Sequence, residues 1–342
     1  MKNTRSYIYL VLLLINGCAT LPSIEKEAEV SQIVVNVSSL DFSSRRDTIE
    51  VTLSSVGTAE ARWNISTGHS LISCQPASGT LPRGASEKVV VSLDRSKLTD
   101  AITASLQIQG SMSNGISLPI TAQVMPDGLL SHYTFDEGNA NDVTTTQAHG
   151  VLLNAPSFIS DTPNGTGKAL FLNYIKGQYI NIPYNVFMGL PTYSVSMWIK
   201  DFSTGLLFTV VANSSRVYND YPRLRTMSDG FFRFYTSYDS ADYTKDFNYS
   251  FFAIQSERWH HIVVICNCNQ NQNSVLRQLY VDGILVDSQE GSWDKSEGSK
   301  IVIGGDRDGA YLAGTSMKVD NVRFYKVALT KYEVAAIYKS EK

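Results

Sequence analysis

Apolar and polar residues alternate in short runs along most of this chain. The runs Ile33-Val34-Val35-Asn36-Val37, Thr48 to Leu53, Ala61-Arg62-Trp63-Asn64-Ile65, Glu87 to Leu93, Ala104 to Ile108 and Ser117 to Thr121 repeat with a period of two, and turn residues separate them. That is the pattern of half-buried strands. Six or seven short strands in so compact a span predict an Ig-like β-sandwich, with Trp63 in its core. Pro126-Asp127-Gly128 is a turn signal and a natural boundary. Strand-like runs then resume. In Ser194 to Lys200 the alternation sends Val195, Met197 and Ile199 to one face and Ser194, Ser196, Trp198 and Lys200 to the other. Trp198 accordingly reads as half-buried sheet surface. Asp282-Gly283, between Leu279-Tyr280-Val281 and Ile284-Leu285-Val286, is a two-residue hairpin turn that tolerates positive φ. The period changes only at the end. Thr330 is an N-cap, Glu333 completes a capping box, and Tyr332, Val334, Ala335, Ile337 and Tyr338 recur at helical spacing. The pattern predicts an all-β protein of two sandwiches closed by one short C-terminal helix.

Ordered landmarks in the second half carry a resemblance. Leu129 to Asp136 opens it, followed by Gly150-Val151-Leu152-Leu153, Lys168-Ala169-Leu170-Phe171-Leu172 and Gln178 to Pro183. Tyr193 to Lys200, Trp259-His260-His261, Leu279 to Val286, Ile301 to Gly305 and Val319-Asp320-Asn321-Val322-Arg323-Phe324-Tyr325 come next, in that order. This series resembles the LamG-like, concanavalin A-type jelly rolls, and the resemblance implies that fold for residues 126–342. Residues 33–125 resemble the BACON family of Ig-like domains. Trp63-Asn64-Ile65, Cys74-Gln75-Pro76-Ala77-Ser78-Gly79-Thr80-Leu81, Gly84-Ala85-Ser86, Val89-Val90-Val91 and Leu93 to Leu98 carry that second likeness. It implies a module found beside carbohydrate-active domains. Its turns are rich in Ser, Gly and Thr with no cluster of aromatics, which favours a spacer.

The N-terminus changes the expected address. Lys2 and Arg5 precede an apolar run, Ile8 to Ile15, that is too short to span a bilayer, and Asn16-Gly17-Cys18 follows. This reads as a signal peptide over residues 1–17. Ile15-Asn16-Gly17-Cys18 resembles the bacterial lipobox, which implies a lipidated Cys18, a polar tether over 18–32 and a bacterial outer-membrane location, exposed to the cell surface or, as the alternative, facing the periplasm. Acyl chains anchor a protein at roughly 0.8 kcal/mol per buried methylene, so several on one cysteine suffice.

Charge and chemistry then narrow the function. The 342 residues carry a formal net charge of −3, so no basic field draws in nucleic acid. Cys266 and Cys268 lie two apart on one strand face, at or beyond the usual bridging distance, and read as packing or free thiols. His260 and His261 are successive on a strand, face opposite ways and cannot chelate one metal; they read as structural. No Gly-x-Ser-x-Gly elbow and no strand-borne pair of carboxylates of the kind glycosidases need is evident. The jelly-roll resemblance implies a structural calcium, with Asp136, Asn139 and Asp320 as candidate ligands, beside backbone oxygens near Gly167 or Lys168. Calcium takes six to eight oxygens.

Between Arg216 and Phe252 tyrosines interleave with Asp, Asn and Arg, as a concave sugar site requires. Tyr218, Tyr221, Arg223, Tyr243 and Tyr249, with Trp293 in a later loop, are the candidate ligand-binding residues. The expectation is a lipid-anchored surface protein that binds glycan or polysaccharide through its jelly roll without cleaving it. A glycoside hydrolase or polysaccharide lyase with an unrecognised site is one alternative. A structural or adhesive protein that binds another protein is a second.

Overall fold

The computed structural model describes residues 30–110, 115–183, 186, 189–212, 222–236, 247, 254–269, 274–292, 298–305 and 314–342. The first sandwich contains β1 (Ile33–Val35), β2 (Leu40–Asp41), β3 (Thr48–Ser55), β4 (Ala61–Thr67), β5 (Ile72–Gln75), β6 (Ser78–Leu81), β7 (Ser86–Leu93), β8 (Ile102–Gly110) and β9 (Ile116–Ala122). One sheet runs β1-β3-β7-β5 and the other β2-β9-β8-β4-β6. Phe42, Leu53, Trp63, Val91, Leu106 and Ile120 fill the space between them. This is the Ig-like sandwich the alternation predicts, with more strands than expected. β2 is two residues long and pairs in parallel with β9, so it has no periodicity to detect. β5 and β6 are short, and β6 carries Ser, Gly and Thr because it lies against Trp63. A Cβ on Gly79 would approach the Trp63 ring to 2.8 Å.

The second sandwich is larger. It contains β10 (Leu129–Tyr133), β11 (Val151–Leu153), β12 (Ser157–Ile159), β13 (Ala169–Leu172), β14 (Tyr179–Pro183), β15 (Thr192–Lys200) and β16 (Gly205–Ala212). Then come β17 (Arg223–Thr226), β18 (Phe232–Tyr235), β19 (His260–Asn269), β20 (Ser274–Val281), β21 (Ile284–Ser292), β22 (Gly298–Ile303) and β23 (Met317–Tyr325). An eight-stranded sheet runs β12-β13-β23-β15-β19-β20-β21, with β10 on β23, and faces a six-stranded sheet of order β11-β14-β22-β16-β17-β18. Their inner faces share one core that includes Leu170, Ile182, Val195, Met197, Ile199, Phe208, Leu224, Phe234, Val264, Ile303 and Phe324. The architecture is a concanavalin A-like jelly roll. The β20–β21 hairpin turns at Asp282 (φ 53) and Gly283 (φ 81), both left-handed as a two-residue turn requires.

The helix α1 (Lys331–Glu341) closes the outer face of the eight-stranded sheet. Thr330 accepts from the Glu333 backbone N–H, and the Glu333 carboxylate accepts from the Thr330 N–H at 2.7 Å, so the predicted capping box is formed. Val334 and Ile337 pack on Val263, Ile265, Tyr280 and Tyr325. Trp198 corrects the sequence reading. It is 2% exposed, not half-buried surface, because Tyr338 stacks on its ring at 5.6 Å and Glu341 accepts from its indole N–H at 2.7 Å. A strand pattern shows that Trp198 leaves the core; it cannot show that a distant helix returns to cover it.

The helix also joins the two sandwiches. Ser44 donates to the buried Glu333 carboxylate at 2.7 Å, the Arg45 Nε pairs with it at 3.3 Å, and an Arg45 Nη donates to the Ala328 carbonyl at 3.0 Å. Ser44 in turn accepts from the Asp127 N–H at the boundary turn.

Candidate functional site

Among the described residues, three places bear on a candidate site, and each is built by a different backbone device. The first lies where β10 ends beside β23. The pairing of β15 with β23 shifts register between Ser196 and Trp198, opposite Arg323 and Asp320. The extra residue falls at Asn321, whose φ is 47. That bulge resets the alternation, so Val319 and Val322, three apart, both enter the core. It also buries Asp320, which is 3% exposed and accepts from the Asn321 N–H at 2.7 Å. Burial pushes the Asp320 carboxyl up to about 8, and the charge of Asp136 adds to the rise. Asp136 follows the left-handed Phe135 (φ 62) and accepts from the Lys168 N–H at 2.9 Å. It leans on Gly167, where a Cβ would lie 1.8 Å from its Oδ1, so only glycine fits there.

The predicted pair Asp136 and Asp320 is thus brought together, with the Gly167–Lys168 backbone beside it. Asn139 behaves differently: its Oδ1 accepts from the Asn141 N–H at 2.9 Å in a local turn. A buried carboxylate beside a second carboxylate, with the Arg323 charge only partly offsetting its burial, fits a bound cation. Among the described residues no group of three or more His, Cys, Asp and Glu forms a metal cluster, so carbonyl and water oxygens would have to complete the shell.

The second place is the buried seam under α1. Ser196 and the fully buried His261 hydrogen-bond at 2.7 Å between Oγ and Nε2, and the His261 ring lies 5.2 Å from Trp198. Burial and then the Arg323 charge push His261 down to about 3. Arg323 pairs with Glu341. His260, on the other side of β19, meets Asp282 at 2.9 Å, and Asp282 also accepts from the His261 N–H at 3.0 Å. A Ser-His pair sealed beneath a helix cannot reach a substrate, so this cluster fixes the fold. The cysteines are free thiols, and burial raises all three that are described: Cys74 to about 11, Cys266 to about 12 and Cys268 in the same direction.

The third place is the outer face of the six-stranded sheet. Alternation about the core residues Ile180, Ile182, Ile301, Ile303, Val210, Leu224 and Phe234 turns their neighbours outward. Tyr179, Val211 and Val302 make a small apolar cluster on that side, with Leu153 against it. Cross-strand register extends the face: Asn181 sits opposite Val302, Thr209 opposite Val302 and Arg223, Arg223 opposite Tyr235, and Arg225 opposite Arg233. The Arg223 guanidinium lies over the Tyr235 ring at 4.6 Å. Buried and without a hydrogen-bond partner are Asn181 Oδ1, Thr209 Oγ1 and Arg223 Nε.

Of the predicted ligand-binding residues, Arg223 is on this face. Tyr218, Tyr221, Tyr243, Tyr249 and Trp293 lie outside the described residues, as does Cys18. Sequence reasoning missed Asn181, Thr209 and the Tyr235 partner of Arg223. Their signal was the period of two in Arg223-Leu224-Arg225 and Arg233-Phe234-Tyr235, read against which residues enter the core.

A separate concavity of about 700 Å³ lies between the sandwiches, lined by residues that include Arg95, Asp100, Gln123, Tyr332 and Lys339. Arg95 is already committed there. Its guanidinium donates to the carbonyls of Phe42, Ser43, Arg46 and Gln123 and pairs with Asp47 at 3.0 Å.

Residues 175–335 match a family model described as the concanavalin A-like lectin/glucanases superfamily, Laminin_G_3. A search of curated proteins found no match to this chain. Among solved structures it is similar to domain 4 of AbnA, a GH43 extracellular arabinanase from Geobacillus stearothermophilus, in complex with arabinotriose. The identity is 19%, covering 62% of this chain and 98% of that one, with a TM-score of 0.47. It is also similar to the binding domain of Paraclostridial Mosquitocidal Protein 1, at 18% identity over 63% of this chain and 52% of that one, with a TM-score of 0.44. The binding domain of botulinum neurotoxin DC in complex with SialylT is similar at 13% identity, over 63% and 52% of the two chains, with a TM-score of 0.44. The match spans about half the length of these two toxin domains.

Proposed function

We propose that the jelly roll binds glycan without cleaving it, and that the Ig-like sandwich is a BACON-like spacer holding it off a bacterial outer membrane. Cys18, lipidated at a lipobox-like site, would be the anchor, with residues 18–32 as tether. One observation carries the binding reading. On the outer side of the six-stranded sheet, the sandwich that matches a lectin/glucanase family sets a buried apolar cluster of Tyr179, Val211 and Val302 beside the polar side chains of Asn181 and Thr209, with the Arg223 guanidinium over Tyr235. Apolar contact for the C–H side of a sugar ring, with hydrogen-bonding groups beside it, is the chemistry of saccharide recognition. The tyrosines of the Arg216 to Phe252 stretch and Trp293 are proposed to add stacking surface.

A structural calcium at Asp136 and Asp320 would hold the opening and closing strands of this sandwich together. When bound, the cation neutralises the two carboxylates; Lys168, through its backbone N–H, positions Asp136 for it. Glycoside hydrolysis is the second reading, favoured by the same two residues. A carboxyl raised by burial beside a second carboxylate is an arrangement in which a general acid and its partner can divide their roles.

A polysaccharide-retardation screen with and without calcium, with released reducing sugar assayed in the same samples, separates these readings. Retention without release is the expected result. Release of sugar that is lost in Asp320→Asn would replace the binding reading by the hydrolytic one. No retention and no release would leave an adhesive role that engages protein.

A further inference from the structure

The helix α1 presents two faces, and the jelly roll takes one of them. Val334 and Ile337 pack on the eight-stranded sheet. Tyr332, Ala335, Ala336, Lys339 and Ser340 recur at helical spacing on another face and line the concavity of about 700 Å³ between the sandwiches. The first sandwich supplies the rest of the lining, from Leu98, Thr99 and Asp100 and from Gln123, Val124 and Met125. Both contributions are held in place by the protein itself. Arg95 donates to the carbonyls of Arg46 and Gln123 at 2.7 and 3.2 Å, and the Glu333 carboxylate ties the first turn of α1 to Ser44 and Arg45. The groove is therefore preformed, so filling it orders little of the chain.

We infer that this groove binds a neutral saccharide, a second site that rests on the carbohydrate-binding reading above and gives the first sandwich a share in binding besides spacing. Its volume falls within the range of about 300–1,000 Å³ of small-molecule sites, which favour the junctions between domains. Leu98, Val124, Met125, Ala335 and Ala336 offer apolar contact, and the half-buried Tyr332 adds an aromatic ring. Beside them the side chains of Asp100, Gln123 and Lys339 are exposed. A carboxylate accepts hydrogen bonds, an ammonium donates them and an amide does both. The Thr99 and Ser340 hydroxyls donate to Asp100 and to the Ile337 carbonyl, each at 2.9 Å, which leaves their lone pairs to accept from a ligand. Sugar hydroxyls give and take hydrogen bonds, and so match this mixed set.

Other ligand classes match it less well. Asp100 and Lys339 are opposite in sign, and Arg95, the remaining charged residue of the lining, is committed to backbone carbonyls and to Asp47 at 3.0 Å. A polyanion attracted by Lys339 is repelled by Asp100, and a cation meets the reverse. A wholly apolar ligand would strip water from three polar side chains and return no hydrogen bond.

Affinity electrophoresis of the full chain tests this, with dextran, galactomannan and polygalacturonate in separate gels. Retardation by dextran or galactomannan, stronger than any by polygalacturonate, is the expected result. Ala336→Trp, which fills the groove from the helix side, should weaken it about tenfold, and Gln123→Ala, which removes an exposed amide, about threefold. Thermal melts should show both variants folded, and Gln123→Ala decides the matter if the tryptophan is not accommodated. Retardation unchanged in the folded variants would overturn the groove as the site and leave carbohydrate binding standing elsewhere on the molecule. Retardation strongest with polygalacturonate would overturn the neutral class. Retardation by none of the three polymers would overturn this site and the carbohydrate-binding reading together.

Discussion

The two outer faces of the jelly roll are built from the same kind of strand and treat polar residues in opposite ways. On the eight-stranded sheet, Ser194 donates to the Val327 carbonyl at 2.8 Å, Ser196 meets His261, and Trp198 and Arg323 both meet Glu341. A helix seals the arrangement. On the six-stranded sheet, Asn181, Thr209 and Arg223 each retain an orphan atom. Burial alone does not separate the faces, since Thr209 and Ser196 are equally inaccessible. What separates them is where the polar groups are spent: Ser194, Ser196 and Trp198 bond to groups under and along the helix, although His261 Nδ1 has no partner, whereas Asn181 Oδ1, Thr209 Oγ1 and Arg223 Nε have none on the other face.

The strongest way to break the comparison is to unseal the closed face. Trp198→Ala removes the side chain that Tyr338 and Glu341 hold, and should cost about 3–5 kcal/mol in urea unfolding. Retention on glycan should survive wherever the variant folds, because the other face is untouched.

Acid should act on the sealed face next. Burial holds His261 down at about 3 and His132 at about 4, each below the ordinary value near 6.5. A histidine held neutral by the fold contributes stability that is complete above its ordinary pKa and is lost as pH falls through the folded value. The urea midpoint should therefore fall steadily from pH 6.5 towards 4, and His261→Gln should flatten that slope.

Calcium tests the seam that joins the first and last strands of the sandwich. Added at a hundredfold excess over its dissociation constant, it should stabilise the protein by about 2.7 kcal/mol in a thermal melt, and Asp320→Asn should erase the shift. A melt unmoved by calcium in the parent protein would remove the cation from the proposal.

The finest contrast is a pair of hydroxyl deletions. Ser196→Ala strands His261 Nε2 in the interior and should cost about 1–2 kcal/mol. Thr209→Val removes a hydroxyl that has no partner, keeps the shape, and should stabilise by about 1 kcal/mol. Matching signs would mean that the two faces do not differ in the way described.

Much of the fold could be read before the structure, because strand period and capping chemistry are local. Thr330 and Glu333 announced the helix, and Asp282-Gly283 announced its hairpin, through residues within four positions of each other. Trp198 was misread because its cover comes from Tyr338 and Glu341, far along the chain. The candidate sites divide on the same line. Asp136 and Asp320 were named through resemblance, since no spacing links residues at opposite ends of a domain. Arg223 was found among tyrosines, while Asn181 and Thr209 look ordinary until sheet order brings β14, β22, β16 and β17 side by side.

Glu333 carries a further consequence, a mechanical one. The same carboxylate ends the helix cap at Thr330 and grips Ser44 and Arg45 of the first sandwich. A load that drags the two sandwiches apart is therefore delivered to the first turn of α1, and slippage at Ser44 would loosen the cap at the same moment. The joint would yield as a single brittle step, with the helix acting as the fuse between the two sandwiches.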